Sequence, residues 1–188
     1  YVQVPSTFEQ LAQQGARSTV SAARQGGHRR VLLEASAAEL DPASSACQLP
    51  ELIQFAAATA GPILNSGLLP VSKPHVKLLF ASAYDATCAS SCVFDTALPI
   101  SVLGHPEEVG PRDGAFVVVG PNIADSAMRA EAAFTELLTK AAGRLVVAIN
   151  PRLGNSPALQ TFETAYMMRP MSLAYLADQH AQQVDRVR

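Results

Sequence analysis

Ala115-Phe116-Val117-Val118-Val119 runs directly into Gly120-Pro121-Asn122, and this stretch decides how the rest of the chain is read. Five consecutive apolar residues, three of them β-branched, are too few for an ordinary helix and show no period-two alternation. A strand covered on both faces fits, which is how the strands of a parallel sheet read. Glycine and proline then end the run and turn the chain away.

Three more runs of the same kind lie on either side: Val31-Leu32-Leu33 behind His28-Arg29-Arg30, His75-Val76-Lys77-Leu78-Leu79-Phe80, and Arg144-Leu145-Val146-Val147-Ala148-Ile149. Residues 99–103 form a short further candidate. The segments between them read as helices. Pro5-Ser6-Thr7-Phe8-Glu9 opens the first, with Ser6 as the cap and Glu9 returning a bond to the cap's N–H; Gly26-Gly27 closes it. Residues 51–60 form an alanine-rich helix that Gly61-Pro62 is expected to bend or end. Residues 81–93 and 125–142 read as two more, the last ended by Gly143. From Ala158 onward the chain is expected to be helical, with a break near Arg169-Pro170 and a polar last helix over 171–184. Strands alternating with helices predict a three-layer α/β fold, a mostly parallel sheet with helices on both faces. It is Rossmann-like but carries no dinucleotide fingerprint. The α/β domain is expected over 1–170, with a helical extension over 171–188.

The composition narrows the function. The chain has 188 residues, 48% hydrophobic and only 16% charged, with 14 Lys+Arg against 16 Asp+Glu. That is enough apolar material for a core, and the opposite of a disordered composition. A net charge of -2 speaks against a nucleic-acid partner, which needs a basic surface. No run approaches the roughly 20 apolar residues of a membrane span. Three cysteines are too few, and odd in number, for a disulfide scaffold. The first residue is Tyr1, so a cleaved targeting peptide is neither seen nor excluded.

Catalytic signatures are sparse. There is no G-x-x-x-x-G-K-[ST], no G-x-G-x-x-G after the first strand and no G-x-S-x-G elbow. His28, His75, His105 and His180 are scattered, so no metal is expected. Cys88 and Cys92 share one helix face; the spacing suits half of a metal or redox site, or two small buried hydrophobes, and they are expected to be reduced, metal-free and largely buried. Glu107-Glu108 reads as a solvated surface pair in an exposed loop over 104–114.

Topology offers one candidate site. Open α/β sheets bind ligands beyond the carboxyl ends of their strands, and those ends here carry Ser36, Asp85, Asn122, Asn150 and Arg152. Arg152 has five donors suited to a carboxylate or phosphate. Alternatively, Asn150 and Arg152 tie neighbouring loops together by bonding backbone carbonyls or Glu34.

Taken in order, P-S-T-F-E-Q-L, H-R-R-V-L-L-E-A, V-K-L-L-F-A-S-A-Y-D-A, A-F-V-V-V-G-P-N and R-L-V-V-A-I-N-P-R-L-G resemble a plant, algal and cyanobacterial family built on a domain of unknown function. That family includes the third low-photosystem-II-accumulation protein of chloroplasts, and the domain also occurs fused to a plastid adenylate kinase. The resemblance covers about residues 4–175. Two departures stand out: Ala81-Ser82-Ala83-Tyr84-Asp85 replaces an acidic, glycine-containing turn, and the region beyond 162–166, which in the family returns to strands, reads here as helical and polar. No catalytic residue is established for the family, so none carries over.

The resemblance implies a plastid protein, in the stroma or at the thylakoid after transit-peptide removal. It implies a non-enzymatic auxiliary role, without a cofactor, in assembly or stability of a photosynthetic complex through protein partners. The loop over 104–114 and the helix over 171–184 are the expected contact regions. A nucleotide- or small-anion-binding enzyme or regulatory domain is the competing expectation.

Overall fold

The computed structural model describes residues 7–93, 95–121 and 127–168. Six strands form one sheet: β1 (Arg30–Ala35), β2 (His75–Phe80), β3 (Ile100–Val102), β4 (Asp113–Val119), β5 (Leu145–Ile149) and β6 (Glu163–Met168). Four helices accompany them: α1 (Phe8–Gln25), α2 (Leu49–Leu64), α3 (Ala83–Cys92) and α4 (Ala127–Lys140). The strand order is β3-β2-β4-β5-β1-β6, and every neighbouring pair is parallel. This is the three-layer α/β, Rossmann-like architecture that the apolar runs predict.

The continuous runs are apolar because both faces of the sheet are covered. Val31, Leu33, Val76, Leu78, Phe80, Val117, Val119, Val147 and Ile149 point into one core with Leu11, Ile53, Phe55 and Ile63 of α1 and α2. Leu79, Phe116, Val118, Val146 and Ala148 point the other way, onto Phe134, Leu137 and Leu138 of α4. Small buried residues on α1 (Ala12, Gly15, Ala16 and Thr19) let it lie close to α2 and to the β1–β6 pair; a Cβ at Gly15 would sit 3.4 Å from Leu33.

Several local expectations are corrected. Thr7, not Ser6, caps α1, accepting from the Gln10 N–H at 3.2 Å. α2 continues through Gly61-Pro62 to Leu64, so the proline does not end the helix where it stands. Among the described residues beyond Ala158 there is no long helix: Leu159–Thr161 is a single 3₁₀ turn, and Glu163–Met168 is an edge strand on β1. The chain therefore does return to a strand where helical sequence was expected. The expected break near Arg169-Pro170, the helix over 171–184 and the extension over 171–188 lie outside the described residues.

Helices that run antiparallel to the strands place their first turns at the carboxyl edge of the sheet and their last turns at the amino edge. Charges follow. Glu9, Glu51 and Asp85 lie in first turns, and Arg24 and Lys140 in last turns, each complementing a helix dipole. Glu34, Glu39 and Asp41 join the carboxyl edge; Arg29, Lys73, Arg112 and Arg144 join the amino edge.

The loop over 104–114 is only partly the exposed segment expected. Glu107 is exposed, but Glu108 is fully buried and Asp113 nearly so. Glu108 accepts from the Gly104 N–H at 2.6 Å and pairs with Lys140 at 3.0 Å. Asp113 pairs with Lys77 at 2.6 Å and accepts from the Gly110 N–H at 2.6 Å. These acids fold inward because cations on α4 and β2 reach them across the sheet. No described helix is long and apolar enough to cross a membrane.

Candidate functional site

At the carboxyl edge, β5 ends in Asn150, a buried residue with φ of 44°. Asparagine tolerates this left-handed conformation better than other side-chain-bearing residues. The turn aims its amide at β1 and the segment that follows it. Oδ1 accepts from the Ala35 N–H at 2.7 Å, and Nδ2 donates to the carbonyls of Ala35 at 3.0 Å and Leu40 at 2.8 Å. One side chain thereby substitutes for a sheet ladder where the backbone of β1 leaves the sheet.

Two residues on, Arg152 donates through Nε to Asp41 Oδ1 at 2.9 Å and through Nη2 to Oδ2 at 2.7 Å. This bidentate bond holds the Asp41 carboxyl below its usual range, and the same bond, with Glu34 nearby, holds the Arg152 guanidinium above its own. Asp41 also accepts from the Ala43 N–H at 2.9 Å, tightening the turn at Pro42. Pro42 in turn lies over Gly120: a Cβ there would meet Pro42 Cγ at 2.8 Å, and Gly120 has φ of 50°. The segment over 36–48 is thus pinned through Leu40, Asp41 and Pro42 to the ends of β5 and β4, as a roof at this edge.

The other sequence candidates are placed around this roof. Ser36 begins the roofing segment, half-buried, directly after β1. Asp85 stands in the first turn of α3, its N–H bonded to the Ser82 hydroxyl at 3.0 Å. Asn122 lies outside the described residues. Asn150 and Arg152 come together through the roof, by way of Leu40 and Asp41, and Asp85 approaches it at Cys47. Burial raises the Cys47 thiol pKa, and the charges of Asp41 and Asp85 add to that. The partner that sequence reading missed is Asp41, because nothing local in the sequence ties it to Arg152.

The two α3 cysteines are not both buried. Cys88 is half-buried, and a hydrogen bond with it raises the Tyr84 phenol pKa; Cys92 is exposed. A ten-residue helix packed mainly through Ala86 and Ala89 leaves the Cys92 face open. All three cysteines are free thiols. Among the described residues, no group of three or more His, Cys, Asp or Glu side chains is placed to hold a metal ion.

Chemically, this edge is a clasp. Its guanidinium is neutralised, its buried amide is spent on backbone, and its carboxylate is held as the anion of an ion pair. No curated protein matches the chain. The model of a domain of unknown function (DUF1995) matches residues 5–177, which hold all six strands, and the chain belongs to that family.

Proposed function

We propose that this protein is a non-enzymatic binding domain that assists assembly or stability of a photosynthetic thylakoid complex within the plastid. The observation that carries the non-enzymatic half is the bidentate Arg152–Asp41 bond at 2.9 and 2.7 Å. At the edge where this fold class places substrates, the chain's own Leu40, Asp41 and Pro42 lie against Asn150, Arg152 and Gly120. The cation best suited to hold an anionic substrate there is already neutralised. A sheet whose ligand edge is closed keeps its rigid frame and offers its outer surfaces. The plastid setting and the protein partner rest on the landmark resemblance of the sequence.

Affinity purification of the full chain from chloroplasts, with mass spectrometry, tests the reading alongside nucleotide titration of the purified protein. Recovery of one stable photosynthetic complex, without nucleotide affinity, is the expected result. Nucleotide binding with turnover and no co-purifying protein would replace it with the nucleotide- or anion-binding reading.

A further inference from the structure

The opposite edge of the sheet holds a concavity of about 180 Å³ lined by three cations and no acid. Arg29 comes from the approach to β1, Lys73 from the loop between α2 and β2, and Arg144 from the turn before β5. Leu68, Leu69 and Pro70 form an apolar wall beside them. Gly114 and Gly143 also line the cleft. Gly114 must be glycine, because a Cβ there would meet the Lys73 carbonyl at 2.3 Å.

Three neighbouring cations are accounted for. Lys77 is neutralised by Asp113, and Lys140 by Glu108 and Glu136. Arg24 donates to the Ser66 carbonyl, fixing the loop that carries the apolar wall. Arg29 and Lys73 have no acidic partner among the described residues. Neither lies in a helix's last turn, so helix dipoles do not explain them. Arg144 is pre-positioned: it stacks over the Phe116 ring at 5.9 Å and donates through Nη1 to the Gly110 carbonyl at 3.1 Å. Its charge still lies at the cleft it lines.

We propose that this cleft binds the phosphate group of a small ligand, with a short apolar portion of that ligand against Leu68, Leu69 and Pro70. Three positive charges exceed what one carboxylate balances, and guanidinium groups match phosphate oxygens geometrically. A cleft of about 180 Å³ has room for a phosphate and a few carbons. The phosphate can come from a soluble phosphomonoester or from a lipid headgroup. The site is separate from the carboxyl-edge clasp and does not rest on the protein-binding reading.

Glycerol 3-phosphate titrated into ¹⁵N-labelled full chain, against chloride at equal ionic strength, tests the site. Saturable shifts are expected at amides 68–73, 114 and 143–145. Arg29→Ala and Lys73→Ala should each weaken binding about tenfold, the worth of one charge-assisted bond. Arg112→Ala, exposed on the same edge, should leave it unchanged, with circular dichroism confirming the fold of each variant. Sedimentation with phosphatidylglycerol or phosphatidylcholine vesicles separates the sources: pelleting with the anionic vesicles that Lys73→Ala abolishes assigns a headgroup, and soluble binding alone assigns a free ester. Shifts reproduced by chloride, equal loss in Arg112→Ala, or no binding in either arm overturns the proposal. None of these outcomes bears on partner recovery from chloroplasts.

Discussion

The Arg152 guanidinium grips both carboxylate oxygens of Asp41 across 111 residues of sequence. The bond joins the turn after β5 to the segment after β1, and it is half-shielded from solvent. Removing either partner should loosen the roof without melting the sheet. Arg152→Ala is expected to cost about 1 kcal/mol in urea unfolding, the upper range for a partly exposed pair. Arg152→Lys should recover little of it, because a point charge cannot bond both oxygens at once. A double-mutant cycle with Asp41→Asn measures the coupling; a cycle near zero would mean that the bond does not hold the roof.

The same pair sets an acid dependence. The Arg152 bond lowers the Asp41 pKa from 3.8. A carboxyl with a depressed folded pKa contributes stability above its unfolded value and loses it as pH falls through the folded one. The stability gap between wild type and Asp41→Asn should therefore be full at neutral pH and shrink below about pH 4. Denaturant midpoints taken across that interval report it, and a gap that stays constant in acid would exclude Asp41 ionisation as the cause.

Asn150 should be the more sensitive position. Asn150→Ala strands the Ala35 N–H and the Leu40 carbonyl in a buried site and keeps an unfavourable φ for alanine. A loss of about 2–4 kcal/mol is expected from the unsatisfied groups. Asn150→Gly relieves the backbone but not the bonds, so it should fall between alanine and wild type. Equal stability of the two variants would show that φ contributes nothing.

Lys77→Met should cost about 3–5 kcal/mol, because buried Asp113 loses its 2.6 Å cation and keeps only His75, at 3.8 Å. Lys77→Met with Asp113→Leu should recover only part of this, since the Gly110 N–H then loses its acceptor. Thermal unfolding of the wild type and the two variants gives the order; full recovery in the double variant would show that the Gly110 bond is dispensable.

Thiol labelling of the native protein should be uneven. Cys92 is exposed and should react first, Cys88 more slowly. Cys47 should lag a free thiol at neutral pH and accelerate as pH rises, because burial raises its pKa and only the thiolate reacts. Mass spectrometry of timed aliquots separates the three. Simultaneous labelling would contradict the burial described for Cys47 and Cys88.

How much of this was legible depended on whether a signal was local. β2, β4 and β5, and the central run of β1, are covered on both faces, so their apolar runs announce them. β6, Glu-Thr-Ala-Tyr-Met-Met, is an edge strand whose composition suits a helix equally well; only pairing with β1 decides it. The carboxyl-edge position of Asn150 and Arg152 followed from topology alone. Asp41 did not, because its partner lies far along the chain. Glu108 and Asp113 read as solvated for the same reason: their cations stand on other elements. The cleft of Arg29, Lys73 and Arg144 gathers three separated segments and has no sequence motif at all.

The place of β1 in the strand order also governs when the sheet can close. Both of its neighbours, β5 and β6, come late in the chain, and the Asn150 bonds to Ala35 span 115 residues. During synthesis, β2, β3 and β4 can pair among themselves while β1 still lacks both neighbours. The backbone N–H and C=O groups along both edges of β1 then wait unpaired, in the state where parallel sheets are slow to form and prone to mispair. β1 precedes the other strands of the sheet yet is among the last to be enclosed, so a ribosome-bound chain that stops short of β5 should depend on chaperones to keep β1 from aggregating.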